Sequence, residues 1–413
     1  MLSFLARAVV RRYRPNIVMV TGSVGKTSTK DAVAEVLASR FLVRKSEKSF
    51  NSEFGVPFTI LGVDNPWSNP LAWFSVVKHA VTLLVLPNHY PNMLVLEVGA
   101  DRPGDLARIL RMATPDAVVV TRLPEVPVHV EAYASPEAVR EEEFSPAFAL
   151  SASEPLIISA DDPYALESVK RSSAHVISYG LAPEANVQVS HIDFAESDGN
   201  VEGMRADVTV QGEEGTLLVK GSVGTTQIFP AAAALAVALA FNIPLKEALS
   251  SLEAYEPPPG RGRILAGKNG SIIIDDSYNA SPVADEHALA TLKAFPHAKR
   301  RIAVLGDMLE LGRYSVAEHE RIGALARSVA DIVVAVGIRT RSFAAAEGKG
   351  EVTLFDCARS AVPSLVELAS EGDVILVKGS QSVRTERIVK ALLANPADAA
   401  RLVRQEKKWK MKV

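Results

Sequence analysis

The chain has 413 residues, 48% of them hydrophobic and 23% charged, with a formal net charge of −3. That length and apolar content suit two or three globular domains with ample core, and the near-neutral charge excludes a general attraction to nucleic acid. A single cysteine, Cys357, excludes an internal disulfide framework and a cysteine-cluster metal site and fits a reducing cytoplasm, and no apolar run reaches the ~18 residues needed to span a bilayer.

In chain order, the opening MLSFLARAVVRRYRP is too short in its apolar part, and too basic after it, for a secretory signal. It reads as an amphipathic helix over 1–15, with Leu2, Leu5 and Val9 on one side and Arg7, Arg11, Arg12 and Arg14 elsewhere. NIVMVTG is a short apolar run ending in glycine, a buried strand, and KTSTKDAVAEVLASRF then sets Ala32, Val33, Val36 and Leu37 at helical spacing. The segment PWSNPLAWFSVVKHAVTLLVLPNHYP is unusually apolar, with Trp67, Trp73 and Phe74. NMLVLEVGA and DAVVVTRL are further buried strands with the helix GDLARILRMA between them, and EPLIISADD and SAHVISYG continue the pattern. Such alternation predicts an α/β fold with a mostly parallel sheet covered by helices.

From about Asn186 to Gly221, polar–apolar alternation with Gly and Asp turns predicts a small antiparallel appendage. FPAAAALAVALAFNI returns to helix, and YEPPPGRGR is a Pro/Gly hinge and a domain boundary. Past it, SIIIDDSYNASP, RRIAVLGDM, DIVVAVG, VTLF and DVILVKGS predict a second, smaller α/β domain.

The stretch VMVTGSVGKTSTK carries the first chemistry. Gly22, Gly25, Lys26 and Thr27 fall at a strand-to-helix turn, where glycines let backbone N–H groups approach phosphate oxygens and the helix N-terminus favours negative charge. The loop Gly22, Ser23, Val24, Gly25, Lys26, Thr27, Ser28 therefore reads as a nucleotide cradle, with Lys26 on the outer phosphates and the Thr27 hydroxyl as a Mg²⁺ ligand. Val20 stands where the longer glycine pattern has its first glycine, so this is the shorter T-G-x-x-G-K-T form. An ordinary glycine turn is the plainer alternative, and the strand–turn–helix context argues against it.

TGSVGKTSTK, FNSEFGVPFTILG and LVLEVGADRPGDL together resemble the ATP-dependent Mur ligase family, and IIIDDSYNASP, AVLGDMLELG followed by AEHE, and VKGSQSVRTERIV are similar to its MurF branch. The resemblance runs from about Ile17 to Leu392. It implies a central P-loop parallel-sheet ATPase domain over 16–260, a smaller Rossmann-like C-terminal domain over 261–395, and a basic tail over 396–413. It also implies ATP and Mg²⁺ as cofactors, with a muramoyl-peptide acceptor and D-alanyl-D-alanine as partners. ATP phosphorylates a carboxylate, an amine attacks the acyl phosphate, and an amide forms. On the same resemblance Glu97, at the end of MLVLE, matches a metal-ligand glutamate, and His129, in PVHVEAY, matches a histidine that holds a second Mg²⁺. Taken alone, a strand-end glutamate is usually solvated and a lone histidine is usually structural.

One position departs from the family. A lysine that becomes carbamylated is expected fourteen positions after the histidine, and Glu143 stands there, in REEEFSP. Glu143 either supplies a permanent carboxylate to the metal or is a solvated member of the acidic run Glu141, Glu142, Glu143. The adenine-side segment also departs, since GTTQIFPAA has Gln227 as its amide, offered to a base edge. Arg261 matches a nucleotide-phosphate arginine, Asp276 matches an aspartate facing the ribose with Asn279 beside it, and Lys378, Ser380 and Arg384 match a region that faces the active site on closure. Lys26, Glu97, His129, Glu143, Arg261 and Lys378 are the expected catalytic set. Asp307, Glu310, His319 and Glu320 recur with the branch.

Family members of full length carry an N-terminal domain that grips the UDP part of the precursor, and here only about twenty residues precede the loop. The expectation is that this domain is absent, and that a lipid-linked or otherwise presented acceptor, or a partner chain, compensates. The first helix, the apolar segment around Trp67 and Trp73, and the basic ending EKKWKMKV suggest peripheral contact at the inner face of the membrane; a packing helix and a core or dimer contact are the alternatives. Three readings compete: a MurF-like ligase, the same chemistry on another acceptor such as a folylpolyglutamate or a lipid precursor, and a nucleotide-binding scaffold that needs a partner.

Overall fold

Short runs rich in β-branched and leucine residues become strands, most of them buried, and the 3.6-period segments between them become helices. The computed structural model describes residues 1–47, 50–67, 69–405 and 409. The basic ending EKKWKMKV therefore lies outside the described residues, Trp409 apart. The chain divides into two compact units: Met1–His191, Ala206–Leu217 and Phe229–Tyr255 form the first, and Ile192–Arg205, Leu218–Ile228 and Glu256–Val413 the second.

The chain begins with α1 (Leu2–Tyr13), β1 (Asn16–Thr21), α2 (Lys26–Ala38), β2 (Val43–Lys45), α3 (Gly55–Leu61), α4 (Pro70–Val85), β3 (Met93–Glu97), α5 (Asp105–Leu110) and β4 (Ala117–Val120). It continues with α6 (Pro136–Phe144), β5 (Pro155–Ser159), α7 (Pro163–Val169) and β6 (His175–Gly180). These six strands are parallel, in the order β2-β3-β1-β4-β5-β6. The chain leaves β1 toward β2 on one side and later crosses to β4 on the other. The carboxyl end of β1 is thus a topological switch point, the place where α/β sheets present ligands.

The predicted appendage is three strands, β7 (Val187–Ser197), β8 (Asn200–Val210) and β9 (Glu213–Lys220), that continue the same sheet rather than forming a separate one. Two-residue turns join them, with both turn residues at positive φ: Asp198–Gly199 and Gln211–Gly212. That is the hairpin turn whose twist matches antiparallel strands. The first unit is completed by α8 (Ile228–Ala240) and α9 (Leu245–Leu252). Helix α8 is apolar on all sides, and all its alanines but the terminal Ala240 are buried.

The second unit contains β10 (Arg263–Ala266), β11 (Ile272–Asp276), α10 (Pro282–Ala294), β12 (Arg300–Gly306), α11 (Ser315–Val329), β13 (Ile332–Val336), β14 (Glu351–Phe355), α12 (Ala358–Leu368), β15 (Asp373–Lys378) and α13 (Glu386–Leu392). Its sheet runs β10-β11-β15-β12-β13-β14, with only β10 antiparallel. The architecture is α/β, as the alternation predicts, with sheets that mix parallel and antiparallel strands.

The first helix departs in part from expectation. Leu2, Leu5, Val10 and Tyr13 pack with buried Ala6 and Val9 onto the core of the first unit. The apolar side of α1 is therefore turned to protein, which removes Leu2, Leu5 and Val9 from any membrane role. Trp73 is likewise turned inward, its ring 5.9 Å from that of Phe58.

Candidate active site

β1 lies between β3 and β4 in a register that pairs Val20 with Glu97 and Thr21 with Val120. Three carboxyl ends therefore finish together, where the loop Gly22–Gly25 turns into α2. Gly22 has φ +112°, and a Cβ there would sit 2.4 Å from Thr121 Oγ1, so the loop passes too close to β4 for any side chain. Gly25 is the left-handed residue before α2, and no side chain caps that helix. Its first turn therefore starts without a side-chain partner, an arrangement whose N–H groups and dipole favour negative charge.

Lys26 folds back over its own loop and donates to the carbonyl of Gly22 and, at 3.5 Å, to that of Ser23. Thr27, one position on, donates its hydroxyl to Glu97 Oε1 at 3.2 Å. Glu97 is buried at the tip of β3, so it is not the solvated strand-end residue that its position alone suggests.

The acidic run on α6 separates because successive helical residues point about 100° apart. Glu141 pairs with Arg171, with Nη1 to Oε1 at 2.9 Å. Glu142 accepts from the backbone N–H of Gly104 and Leu106 at 3.1 and 3.0 Å and caps α5. Glu143 turns to the loop. It is 2% exposed, and Oε2 accepts from the Ser23 hydroxyl at 2.5 Å. The carbonyl of Glu143 also accepts from Thr21 Oγ1 at 2.7 Å, which draws the helix end close to β1. The solvated-surface alternative for Glu143 is excluded by this burial. Burial pushes its carboxyl above the usual range, while Lys26, the Ser23 hydrogen bond and His129 oppose that shift.

His129 takes a left-handed conformation, φ 64°, and its Nε2 lies 3.6 Å from Asp101 Oδ1. Among the described residues no three His, Cys, Asp or Glu side chains converge closely enough to hold a metal by themselves. The donors that do gather at the loop are hydroxyl and carboxylate oxygens, from Thr27, Glu97 and Glu143. That set suits Mg²⁺, which takes one or two carboxylates and completes its shell with water and phosphate oxygens.

In the second unit, sheet register builds another cluster. β11 and β15 set Asp276 directly opposite Lys378. Lys378 is 1% exposed, and its Nζ lies 2.6 Å from Asp276 Oδ2, 3.0 Å from the carbonyl of Asn279 and 4.0 Å from Asp285 Oδ1. Burial pushes the Asp285 carboxyl up to about 7, against the pull of Lys378. Asp285 was not singled out from sequence, because an aspartate in the first turn of a helix looks like a dipole partner in solvent. Burial likewise raises Asp275 to about 6, although Ser277 donates to it through N–H and Oγ.

Arg261 stacks its guanidinium 4.2 Å from the centre of the Tyr278 ring. Gln227 is buried near Gly262, and its Oε1 meets no donor among the described residues. Arg384 is buried, with Nε 2.5 Å from Glu386 Oε1. Asp307 accepts from the N–H groups of Ile338, Arg339 and Thr340. His319 accepts from Met308 N at 3.0 Å through Nε2 and meets Ser315 O at 2.6 Å through Nδ1. These two residues of the branch-specific motif therefore support backbone within their own unit.

The family description "Mur ligase middle domain" matches residues 20–238, and "Mur ligase, glutamate ligase domain" matches residues 260–381. The chain belongs to the Mur ligase family. As a member it is an ATP-dependent acid–amino-acid ligase. It is 29% identical over 402 residues to a Bacillus subtilis UDP-N-acetylmuramoyl-tripeptide–D-alanyl-D-alanine ligase, covering 96% of this chain and 79% of that one. It is 31% identical to the Mycobacterium tuberculosis ligase of the same name, covering 92% and 73%. Among solved structures, the MurF ligase of Thermotoga maritima in complex with ADP superimposes with a TM-score of 0.77 at 25% identity, over 94% of this chain and 82% of that one. A folylpolyglutamate synthase from M. tuberculosis shares the fold, with a TM-score of 0.65 at 16% identity.

Proposed function

We propose that this Mur ligase joins D-alanyl-D-alanine to the terminal carboxylate of a muramoyl-peptide, with ATP and Mg²⁺ as cofactors. The observation that carries the chemistry is the loop itself: a glycine turn at the switch point, a helix start without a side-chain cap, and a lysine that among the described residues is held by loop carbonyls. Those carbonyls are weak partners that a phosphate oxygen displaces, so Lys26 is poised to swing from Gly22 and Ser23 onto the outer phosphates of ATP. The backbone N–H groups from Gly22 to Ser28 cradle the remaining oxygens.

Thr27, Glu97 and Glu143 are assigned to Mg²⁺ at the loop and His129 to a second Mg²⁺, with Glu143 in the role of the carbamate. Mg²⁺ there supplies positive charge against the crowded anions of ATP and the substrate carboxylate. Gln227 offers its buried amide to the adenine edge. Arg261 and Asn279 take nucleotide phosphate and ribose contacts with Asp276, and Lys378 is the cation beside them. The substrate carboxylate oxygen attacks the γ-phosphorus, and ADP leaves. The dipeptide amine then attacks the acyl carbon, phosphate leaves with the bonding pair, and the amine gives up a proton as the amide forms. The names of the relatives support the choice of acceptor and amine.

Phosphate release from ATP and Mg²⁺ by the purified chain tests the reading. D-alanyl-D-alanine is added with UDP-MurNAc-tripeptide or with its lipid-linked equivalent. Release that requires the dipeptide and one of the two acceptors is expected. ATP binding without release under either condition would sink the assignment and point to another acceptor or to a required partner chain.

A further inference from the structure

Helices α1 and α4 bury one face each and leave the other open in the same pattern. On α1 the buried side is Ala6 and Val9, and the exposed side carries Phe4, Arg7 and Arg11, with Arg14 just past the helix end. On α4 the buried side is Val76, Ala80 and Leu83, and the exposed side carries Leu71, Phe74, Lys78, Val81 and Val85. Both outer sets follow i, i+3, i+7, so each forms a single stripe along its helix. The helices are fastened to one another, Tyr13 Oη donating to Leu83 O at 2.8 Å.

The α4 stripe is too apolar for an ordinary solvated helix. Leu71 is 82% exposed, Phe74 71% and Val85 67%, and on α1 Phe4 is 74% exposed. Trp67 and Leu86, at either end of α4, are exposed as well. A contiguous run of this kind marks an interaction surface. Its charge states what it meets. Neither 1–14 nor 65–91 contains an aspartate or glutamate, whereas Arg7, Arg11, Arg12, Arg14 and Lys78 lie within them. A second copy of the chain docked through this patch would set these cations against their own images, which is repulsive in a two-fold contact. An anionic lipid surface answers both features: headgroups attract the arginines, and the acyl boundary accepts Leu71, Phe74, Val81 and Val85.

We propose that the outer faces of α1 and α4 form a peripheral docking surface for an anionic membrane. The inference is independent of the acceptor assigned above, because none of these residues belongs to the loop or to either carboxylate cluster. α1 supplies the electrostatic part and α4 the insertion. Neither signal alone gives more than marginal, reversible binding, and the two together give stable attachment.

Sedimentation of the full chain with vesicles tests this. One set contains about a quarter phosphatidylglycerol and the other only phosphatidylcholine, each at about 0.02 M and about 0.5 M salt. Binding is expected on the anionic vesicles at low salt, with a loss of at least about tenfold in partitioning on neutral vesicles or at high salt. The double variant Leu71→Ser/Phe74→Ser and the triple variant Arg7→Glu/Arg11→Glu/Arg14→Glu should each lower partitioning by about tenfold or more, with solution ligase activity and thermal midpoint unchanged. Absence of sedimentation with anionic vesicles overturns the proposal. So does binding that neither variant weakens, and so does a wild-type dimer that Leu71→Ser/Phe74→Ser dissociates while vesicles capture nothing.

Discussion

Two lysines follow the same logic of strand end and carboxylate, and they end in opposite states. Lys26 is half-buried, donates among the described residues to carbonyl oxygens of its own loop, and has Glu143 nearby as a carboxylate that is itself bonded to Ser23. Lys378 is enclosed, paired to Asp276, and backed by Asp285. The first arrangement leaves a cation available to a ligand. The second satisfies its cation internally, so part of its worth is the stability of the second unit. A lysine near a carboxylate therefore says little about chemistry until its present partners are counted.

Lys26→Ala is the sharpest way to break the contrast. It should lower kcat by about a thousandfold or more, because it removes a charge from developing phosphoryl negative charge, while the thermal midpoint moves by less than about 2 °C. A large loss of stability would mean that Lys26 is structural after all. Asp276→Ala should do the reverse in the other unit and destabilise by about 3 kcal/mol, since it strips a buried ammonium of its nearest anion. Adding Lys378→Met should recover part of that loss, and a double-mutant cycle without coupling would refute the pairing.

Glu143→Gln should raise the Mg²⁺ concentration for half-maximal activity by about 10–100-fold, on the scale of a lost metal-supporting group. An unchanged Mg²⁺ requirement would return Glu143 to a purely structural place beside Ser23. Asp285 gives the smallest and most graded effect. Its carboxyl keeps a proton up to about 7 in the folded state and loses it near 3.8 when unfolded. Its contribution to stability is therefore fully present below the lower value and is lost as pH rises toward the upper one. Asp285→Asn should flatten that decline by on the order of 2 kcal/mol, read from unfolding at several pH values. A wild-type stability that stays level across the window would show that Lys378 holds Asp285 ionised throughout.

Most strands of both sheets and the glycine loop were legible in the chain because each rests on local signals: apolar runs, periodicity and turn residues; the short β2 and β10 carry no such signal and were not read. The Asp–Gly turn at 198–199 announced its hairpin in the same way. Glu143 was legible only as an alternative, since three consecutive glutamates give no hint of which one faces inward. The direction of α6 decided it, sending Glu141 to Arg171, Glu142 to the start of α5 and Glu143 to Ser23. Asp285 was not legible, and the inward turn of α1 was legible only as the packing-helix alternative, because an aspartate in a first helical turn and an amphipathic helix have the same sequence whether they meet solvent, protein or lipid.

By itself, then, the sequence determined the α/β alternation, the glycine turn between β1 and α2, and the family, all of which depend on residues close together in the chain or on ordered motifs. Tertiary structure alone decided which charges are enclosed: the register of β11 on β15 that sets Asp276 against Lys378, the burial of Glu143, and the outward stripes of α1 and α4. The reason is physical. Backbone preference is a property of a residue and its neighbours, whereas burial is a property of what distant segments bring against it, and it is burial that sets the energy of a charge.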